Sequence, residues 1–305
     1  MHITRRTFLT GAASLPMLAA LPRPSLAEIR IGEATLTTVS DGHLVLPADF
    51  IFGPMPQDQL DPVLRDLGVD PAGPLKPECN LTLYRDGSNT VLFDAGSGPD
   101  FMPTAGKILD GLEAVGLTPE DITHVVFTHA HPDHIWGVLD DFDDPLFVNA
   151  IHMMGRAEWD YWWNPETVNT IGAARTTFAV GARRRMEAIE GSVAMFDDGQ
   201  EILPGIAAVA SHGHTPGHMS FEIRNGSEAA MVLGDAIGNH HVAFRKPGWH
   251  SGSDQDAEMA AETRRSLFDR LTAERMRLVG FHLPGGGIGR ADHFDDGFIF
   301  LPGDA

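Results

Sequence analysis

Short apolar runs alternate with amphipathic stretches along most of the chain, and this alternation is typical of an α/β fold. The apolar runs predict strands at residues 34–39, 44–46, 80–84, 90–93, 125–127, 146–148, 206–210, 221–223, 231–233 and 277–281. The amphipathic stretches predict helices at residues 57–67, 104–115, 156–163 and 257–271, with a mixed helical region at 164–191. Two hairpin turns are predicted, one at Asp41-Gly42 and one at Asp86-Gly87-Ser88, because such dipeptides suit tight turns between strands.

Chemically active side chains follow five of these predicted strands, at the point where each strand ends. They are Asp94, His129, His214, Asp235 and His282. In an α/β sheet, the strand ends at one edge share a crevice in which ligand sites are built. We therefore expect these residues to lie close together.

The densest of these positions is the stretch 128–134, which reads Thr-His-Ala-His-Pro-Asp-His directly after an apolar strand. It places three imidazoles and one carboxylate within six positions, and a loop frees their directions from the alternation of a strand. Imidazole nitrogens and carboxylate oxygens suit zinc, and they also suit iron or manganese. The stretch therefore predicts a metal site rather than a solvated histidine-rich surface.

The first 27 residues have the features of an export signal. Arg5 and Arg6 precede a weakly apolar stretch that is too short to span a membrane, and Ser25-Leu26-Ala27 is a small-residue cleavage site. We expect a twin-arginine-type signal at 1–27, recognised by the twin-arginine export machinery, and a single domain at 28–305. This pattern predicts a periplasmic protein whose signal has been removed.

Charge and cysteine content exclude several kinds of binding partner and one kind of cross-link. The chain carries a formal net charge of −20, and the predicted leader contributes arginines but no acidic residue. Such an acidic protein is not expected to bind nucleic acid or an anionic membrane. The single cysteine, Cys79, excludes an internal disulfide. Oligomeric state cannot be predicted from these features.

The ordered motifs resemble those of the metallo-β-lactamase superfamily. They are Asp94-Ala95-Gly96, the HxHxDH cluster at 129–134, His214 within the sequence HTPGH, Gly234-Asp235 and His282. The resemblance implies a four-layer αββα sandwich with two zinc ions per chain, or iron or manganese in their place.

The resemblance also implies the role of each ligand. One metal would be held by His129, His131 and His214. The other would be held by Asp133, His134 and His282. Asp235 would bridge both metals, and Asp94 would orient the first cluster from behind.

A dinuclear site of this kind implies hydrolysis. Two divalent ions about 3.5–4 Å apart polarise a substrate oxygen and supply a hydroxide near neutral pH. Asp133 and Asp235 are the expected catalytic residues, and a small-molecule ester, lactone, thioester or phosphotriester is the expected substrate. The sequence is similar to the exported methyl parathion hydrolase and lactonase-like branch. It is also similar to periplasmic zinc metallohydrolases of thiosulfate-oxidation or quinoprotein systems, which would make the chain accessory to sulfur oxidation.

Alternative interpretations remain open for the activity and for the aromatic residues. The same fold serves persulfide dioxygenases with a single iron, and a binding protein with a decayed site is a third class. Trp162 and Trp163 are typical of core packing, yet their place after the first cluster makes them candidates for substrate binding. Residues 183–185, three consecutive arginines, are expected to form a solvated helix face.

Overall fold

The structure is a computed structural model that describes residues 28–303, so the predicted signal at 1–27 lies outside the described residues. Its strands are β1 (Ile29–Ile31), β2 (Ala34–His43), β3 (Glu78–Arg85), β4 (Thr90–Phe93), β5 (His124–Phe127), β6 (Ile151–Gly155), β7 (Ala194–Phe196), β8 (Glu201–Leu203), β9 (Ile206–Ala210), β10 (Met219–Asn225), β11 (Glu228–Val232), β12 (Arg277–Val279), β13 (Ile288–Phe294) and β14 (Gly297–Pro302). Its α-helices are α1 (Ala48–Phe52), α2 (Gln57–Asp66), α3 (Ile108–Ala114), α4 (Pro132–Ile135), α5 (Arg156–Trp163), α6 (Thr167–Thr170), α7 (Thr176–Ile189), α8 (Val242–Arg245) and α9 (Ala257–Ala273).

The strands form two seven-stranded sheets, each built from one contiguous half of the chain. The first has the order β1-β2-β3-β4-β5-β6-β7, and the second has the order β14-β13-β12-β11-β10-β9-β8. In the first sheet, β4, β5, β6 and β7 are parallel neighbours. In the second sheet, only β11 and β12 pair in parallel.

Alternating side chains of the sheets build three layers of core. Val126 of β5 faces the interior between the sheets, where it joins Phe93 and Phe221 in one apolar cluster. Its neighbours Val125 and Phe127 point the other way, as the two-residue period of a strand requires. They pack into a second cluster that includes apolar side chains of α3, α5 and α7, namely Leu112, Trp162 and Met186.

The outer face of the second sheet is covered in the same way. Phe244 of α8 and Phe268 of α9 pack with Met231 and Leu278 of the sheet. Helices therefore cover the outer face of each sheet, and the predicted four-layer αββα sandwich is confirmed. Among the described residues, no helix has the length and hydropathy that a membrane crossing requires.

The predicted hairpin at Asp41-Gly42 is wrong, because β2 runs through it as one strand. The register of β2 against β3 shifts between Ser40 and His43, and Gly42 has a φ of 94°. The chain thus bulges instead of reversing. The buried Asp41 carboxylate accepts hydrogen bonds from the backbone N–H groups of Ser97 (2.8 Å) and Gly106 (3.1 Å), which explains a turn-like residue inside a strand.

Other boundaries also differ from the prediction. Residues 146–148 form no strand, and the next strand is β6, which begins at Ile151. The predicted helix at 104–115 begins only at Ile108, and β13 and β14 were not predicted.

Candidate metal centre

The five predicted strand ends do meet at one edge of the sandwich. Asp94 follows β4, and the stretch 128–134 follows β5 and runs into the short helix α4. Residues His214, Asp235 and His282 follow β9, β11 and β12 of the second sheet. The site therefore lies where the two sheets present their strand ends to one another.

Three imidazoles converge at a first cluster. Nε2 of His129 lies 3.0 Å from Nδ1 of His131, and Nε2 of His214 lies 2.9 Å from the same atom. These three residues form one group whose ligand atoms all lie within 4.8 Å of one another. Zinc–nitrogen bonds of about 2.0–2.1 Å in a tetrahedral site place ligand nitrogens about 3.3 Å apart, so the spacing fits such an ion.

The first cluster also has the protonation that metal binding needs. Burial lowers the pKa of His129 and of His131 well below the usual imidazole value, and neighbouring imidazoles lower it further. Neutral imidazole is the form that offers a lone pair to a cation.

The second cluster holds two carboxylates and two imidazoles, Asp133, His134, Asp235 and His282, again with ligand atoms within 4.8 Å. Nε2 of His282 lies 3.2 Å from Oδ2 of Asp133 and 3.2 Å from Oδ2 of Asp235. Nε2 of His134 lies 3.5 Å from Oδ2 of Asp133 and 3.4 Å from Oδ1 of Asp235. All four side chains are buried.

The charges of the second cluster stabilise one another. Burial raises the pKa of Asp133 and Asp235, but the imidazoles of His134 and His282 outweigh burial and hold both values well below the usual range. Burial lowers the pKa of the two imidazoles, but the carboxylates outweigh it and hold those values well above the usual range. The two buried carboxylates therefore make the second cluster a favourable environment for positive charge.

Asp235 contacts both clusters. Its Oδ2 lies 3.4 Å from Nε2 of His214 in the first cluster and 3.2 Å from Nε2 of His282 in the second. Its backbone N–H donates to Nε2 of the buried His218 at 3.0 Å, which fixes the start of the loop. His218 therefore has a structural role beside the site.

The hydrogen bonding of three buried atoms in the second cluster indicates whether cations fit the site. Asp133 Oδ2, His134 Nε2 and Asp235 Oδ1 have no hydrogen-bond partner among the described residues. They make ion-pair contacts of 3.2–3.5 Å with one another and with His282, but these contacts leave them without a hydrogen bond, which is costly inside a protein. Cation coordination would satisfy all of them, so the residues fit a metal centre.

Contacts behind the imidazoles fix the direction of each ring. Asp94 Oδ2 accepts a hydrogen bond from Nδ1 of His134 at 2.8 Å. Thr128 donates its hydroxyl to Asp94 at 2.9 Å and accepts from Nδ1 of His129 at 3.0 Å. Asp94 adopts a φ of 68°, a conformation that aspartate tolerates and that these bonds hold in place. Both rings consequently present Nε2 to the site.

The rings of the second sheet are fixed by other acceptors. Nδ1 of His214 donates to the buried Asp254 at 3.0 Å, and Nδ1 of His282 donates to the backbone oxygen of Glu78 at 2.7 Å. The guanidinium of Arg264 lies 3.4 Å from the other oxygen of Asp254. Carboxylate and carbonyl acceptors in this position raise the ligand strength of an imidazole.

Glu158 of α5 anchors both loops that carry the first cluster. Its Oε1 accepts from Ala130 N at 2.8 Å and from Trp162 Nε1 at 2.6 Å. Its Oε2 accepts from Thr215 Oγ1 at 2.8 Å and from Gly217 N at 3.0 Å. A Cβ at Gly217 would lie 2.1 Å from the backbone nitrogen of Glu158, so only glycine permits this approach. Burial raises the pKa of the Glu158 carboxyl, and its four donors oppose that shift.

The site opens into a cavity of about 330 Å³. Five candidate ligands contribute to its lining, namely His131, Asp133, His214, Asp235 and His282. The rest of the wall is largely apolar and includes Leu44, Leu46, Phe50, Ile51, Val69, Leu75, Phe101 and Phe178. Charged groups at Lys76, Glu78 and Arg175 also contribute.

The paired tryptophans lie beside this cavity rather than in its lining. Trp162 is buried, donates to Glu158 and meets the His131 ring edge-on at 5.8 Å between centroids. Trp163 stacks on Trp159 at 5.0 Å. Because other side chains form the cavity wall, substrate binding by Trp162 and Trp163 stays a prediction that this geometry does not support.

A sequence model described as the Metallo-beta-lactamase superfamily matches residues 77–279, more than half of the chain. The chain belongs to this superfamily. The predicted superfamily is thereby confirmed, and the fold, the two clusters and the relatives below are consistent with a metal-dependent hydrolase.

Curated relatives within the superfamily include lactonases. An N-acyl homoserine lactonase AttM of Azorhizobium caulinodans is 29% identical over 125 residues, which are 40% of this chain and 43% of the lactonase. An uncharacterised protein of Mycobacterium tuberculosis is 28% identical over 193 residues, 60% of this chain and 78% of that protein. The chain thus spans less than half the length of the lactonase that it matches.

Solved structures share the superfamily fold over nearly the whole chain. AidC, described as a dizinc quorum-quenching lactonase in complex with a product, superposes with a TM-score of 0.85 at 24% identity and covers 92% of this chain and 98% of AidC. The hydrolase AbOPH superposes with a TM-score of 0.82 at 24% identity and covers 91% of this chain and 97% of AbOPH.

Several site residues were not predicted from the sequence. Glu158, Asp254 and Gln255 contact the candidate ligands or their loops from distant parts of the chain. Residue 185 of the expected solvated arginine face is instead buried, with its guanidinium 4.6 Å from the ring centroid of Trp136. The local sequence around these residues carries no metal-site spacing that would have identified them.

Proposed function

We propose that this protein is a dinuclear zinc hydrolase of the lactonase kind. The observation that carries the proposal is the pair of clusters in the wall of a largely apolar cavity, with three buried ligand atoms that lack a hydrogen-bond partner among the described residues. His129, His131 and His214 would hold one ion, and Asp133, His134 and His282 would hold the other. Asp235 would contact both, since its Oδ2 lies 3.4 Å from Nε2 of His214 and 3.2 Å from Nε2 of His282.

Two divalent ions in these positions would supply Lewis-acid polarisation of an acyl oxygen and activation of water. The residues of the chain would bind the ions and orient the groups that react. The low pKa of Asp133 and Asp235 keeps both carboxylates anionic at neutral pH. Addition of water to the ester bond of a lactone opens the ring and yields one hydroxy acid.

The cavity favours a substrate that joins a hydrolysable ring to an apolar chain. Its volume lies at the small end of the range for small-molecule sites, about 300–1,000 Å³. The candidate ligands, Lys76, Glu78 and Arg175 provide polar lining. The apolar wall includes Leu46, Phe50, Ile51 and Phe178. An acyl chain along these walls would place its head group against the ligands. The AttM and AidC relatives, which are lactonases by name, support the same substrate class.

A substrate panel tests the proposal. Protein reconstituted with zinc is incubated with N-acyl homoserine lactones of increasing chain length and with an ester, a thioester, a phosphotriester and a β-lactam. We expect about two zinc ions per chain and the highest kcat/KM with a lactone. Failure to open any lactone would reject the lactonase assignment, and one iron per chain with persulfide oxidation would support the dioxygenase alternative.

We also propose export of the mature chain from residue 28, on the basis of the sequence at 1–27. Changing Arg5 and Arg6 to lysine should retain the precursor in the cytoplasm, as cell fractionation would show. Normal export of that variant would contradict a twin-arginine signal. An accessory role in sulfur oxidation stays a prediction, to be tested by growth of a deletion strain on thiosulfate.

A further inference from the structure

The ring of His131 differs from the other four imidazoles of the site. His129, His134, His214 and His282 each donate from Nδ1 to an acceptor behind the ring and present Nε2 to the centre. His131 instead presents Nδ1, the atom that lies 3.0 and 2.9 Å from its two neighbours. Its Nε2 must therefore carry the ring proton whenever Nδ1 binds a cation.

The group that faces Nε2 of His131 is the side-chain amide of Gln255. The amide nitrogen lies 3.3 Å from that ring nitrogen, and the amide oxygen accepts a hydrogen bond of 2.8 Å from the hydroxyl of Tyr161. With the amide nitrogen toward the ring, Nε2 of His131 would accept and the ring proton would lie on Nδ1, and that tautomer cannot bind a cation at the first cluster.

A half-turn of the amide exchanges its oxygen and nitrogen with almost no change in shape. The amide oxygen then accepts the proton of His131 Nε2, and the amide nitrogen donates to the oxygen of Tyr161. Nδ1 is left with a free lone pair. Gln255 is suited to both arrangements because an amide has a donor and an acceptor at the same distance from the chain.

The backbone holds Gln255 close to the first cluster. Its N–H donates to the backbone oxygen of His214 at 3.1 Å, and Asp256 N–H donates to Gly213 O at 2.9 Å. Asp256 then caps α9, since its side chain accepts from Met259 N at 3.0 Å. Asp254, one residue earlier, accepts from His214. Two consecutive side chains before α9 thus contact both His131 and His214.

We propose that Gln255, held by Tyr161, is a positioning residue that selects the His131 tautomer able to bind the ion of the first cluster. The arrangement with the amide oxygen toward the ring is the one that leaves Nδ1 of His131 free to bind a cation. This inference rests on the two-ion site of the proposed function but not on its substrate.

Zinc affinity and histidine tautomers, rather than hydrolysis, test the proposal. Gln255→Met keeps the shape without either hydrogen-bonding group, and Gln255→Glu offers only acceptors. Zinc is titrated into metal-free protein in competition with a chromophoric chelator, and nitrogen-15 NMR of labelled histidines reports which ring nitrogen carries the proton. The matched controls are Gln59→Met and Gln59→Glu, because Gln59 is exposed on α2.

We expect Gln255→Met to weaken binding of one zinc ion about 10–100-fold, in the range known for contacts behind ligands. Gln255→Glu should bind at least as tightly as the wild type, with the proton of His131 on Nε2 before zinc is added. Tyr161→Phe should weaken the same ion by a smaller factor, and it replaces Gln255→Met as the test if that variant does not fold.

Three results would overturn the inference. They are zinc affinity of Gln255→Met within twofold of the wild type, equal weakening by Gln255→Met and Gln255→Glu, and an unchanged affinity of Tyr161→Phe where it serves as the test. These results leave the proposed function intact. A wild-type chain that binds no divalent ion would overturn both.

Discussion

Replacement of Glu158 by glutamine should destabilise the protein and weaken zinc binding at once. The carboxylate accepts four hydrogen bonds, two at each oxygen, and every partner is a donor. A glutamine turns one of these oxygens into a donor. Either the N–H of Ala130 and the indole of Trp162, or the N–H of Gly217 and the hydroxyl of Thr215, then face an N–H group inside the protein.

The expected cost follows from this count. A buried donor left without an acceptor costs about 1–3 kcal/mol, so two such donors give about 2–6 kcal/mol. The lower half of this range is favoured, because the hydroxyl of Thr215 can rotate and accept from the new amide. Ala130 lies between His129 and His131, and Gly217 lies three residues after His214. Movement of these backbone groups should therefore also separate the imidazoles of the first cluster.

Urea unfolding of metal-free protein measures the change in the free energy of unfolding. Zinc titration of the folded variant measures the change in zinc affinity. Glu187→Gln is the control, since Glu187 forms an exposed ion pair with Arg183 on α7. Loss of such a pair should change stability by about 0.5 kcal/mol or less. If Glu158→Gln unfolds within 0.5 kcal/mol of the wild type, the four hydrogen bonds do not carry the anchoring role assigned to them.

Two further predictions concern the ligands and a buried histidine. Asp235→Ala should lose both zinc and activity, whereas Asp94→Ala should reduce zinc affinity or rate by only about 10–100-fold. Metal analysis and kinetics measure both effects. An Asp235→Ala protein that keeps two zinc ions and full activity would contradict the bridging role. His152 is buried, neither of its ring nitrogens has a hydrogen-bond partner in the part of the chain that the structure describes, and burial lowers its pKa to about 4. Because the unfolded chain takes up this proton nearer pH 6.5, wild-type stability should fall as pH drops from about 6.5 to 4, and His152→Leu should remove about 2–3 kcal/mol of that loss. Equal pH dependence of both proteins in urea unfolding would show that His152 is not responsible.

The convergence of the candidate ligands could be predicted from the sequence because their signal is local. His129 and Asp235 each follow an apolar run, which places each at a strand end, and the packing of the two sheets brings those ends together. The prediction at Asp41-Gly42 was wrong because the same dipeptide can occur in a hairpin turn or in a β-bulge. Only the pairing of β2 with β3 distinguishes the two structures. Gln255 lies 124 residues from His131, and Glu158 lies 28 residues from Ala130. Contacts of this range depend on the packed arrangement of helices, which no local pattern records.

The division of the chain into two contiguous sheets has a consequence for how the protein could be dissected. β1 to β7 lie before the exposed turn at 197–200, and β8 to β14 lie after it. Cleavage in that turn leaves two fragments, each with an entire sheet. The amino-terminal fragment retains four of the seven candidate donors (His129, His131, Asp133 and His134), and the carboxy-terminal fragment retains three (His214, Asp235 and His282). Neither cluster is complete within one fragment, so zinc bound at the clusters would link the two fragments reversibly. Reassociation of the fragments would therefore depend on zinc concentration.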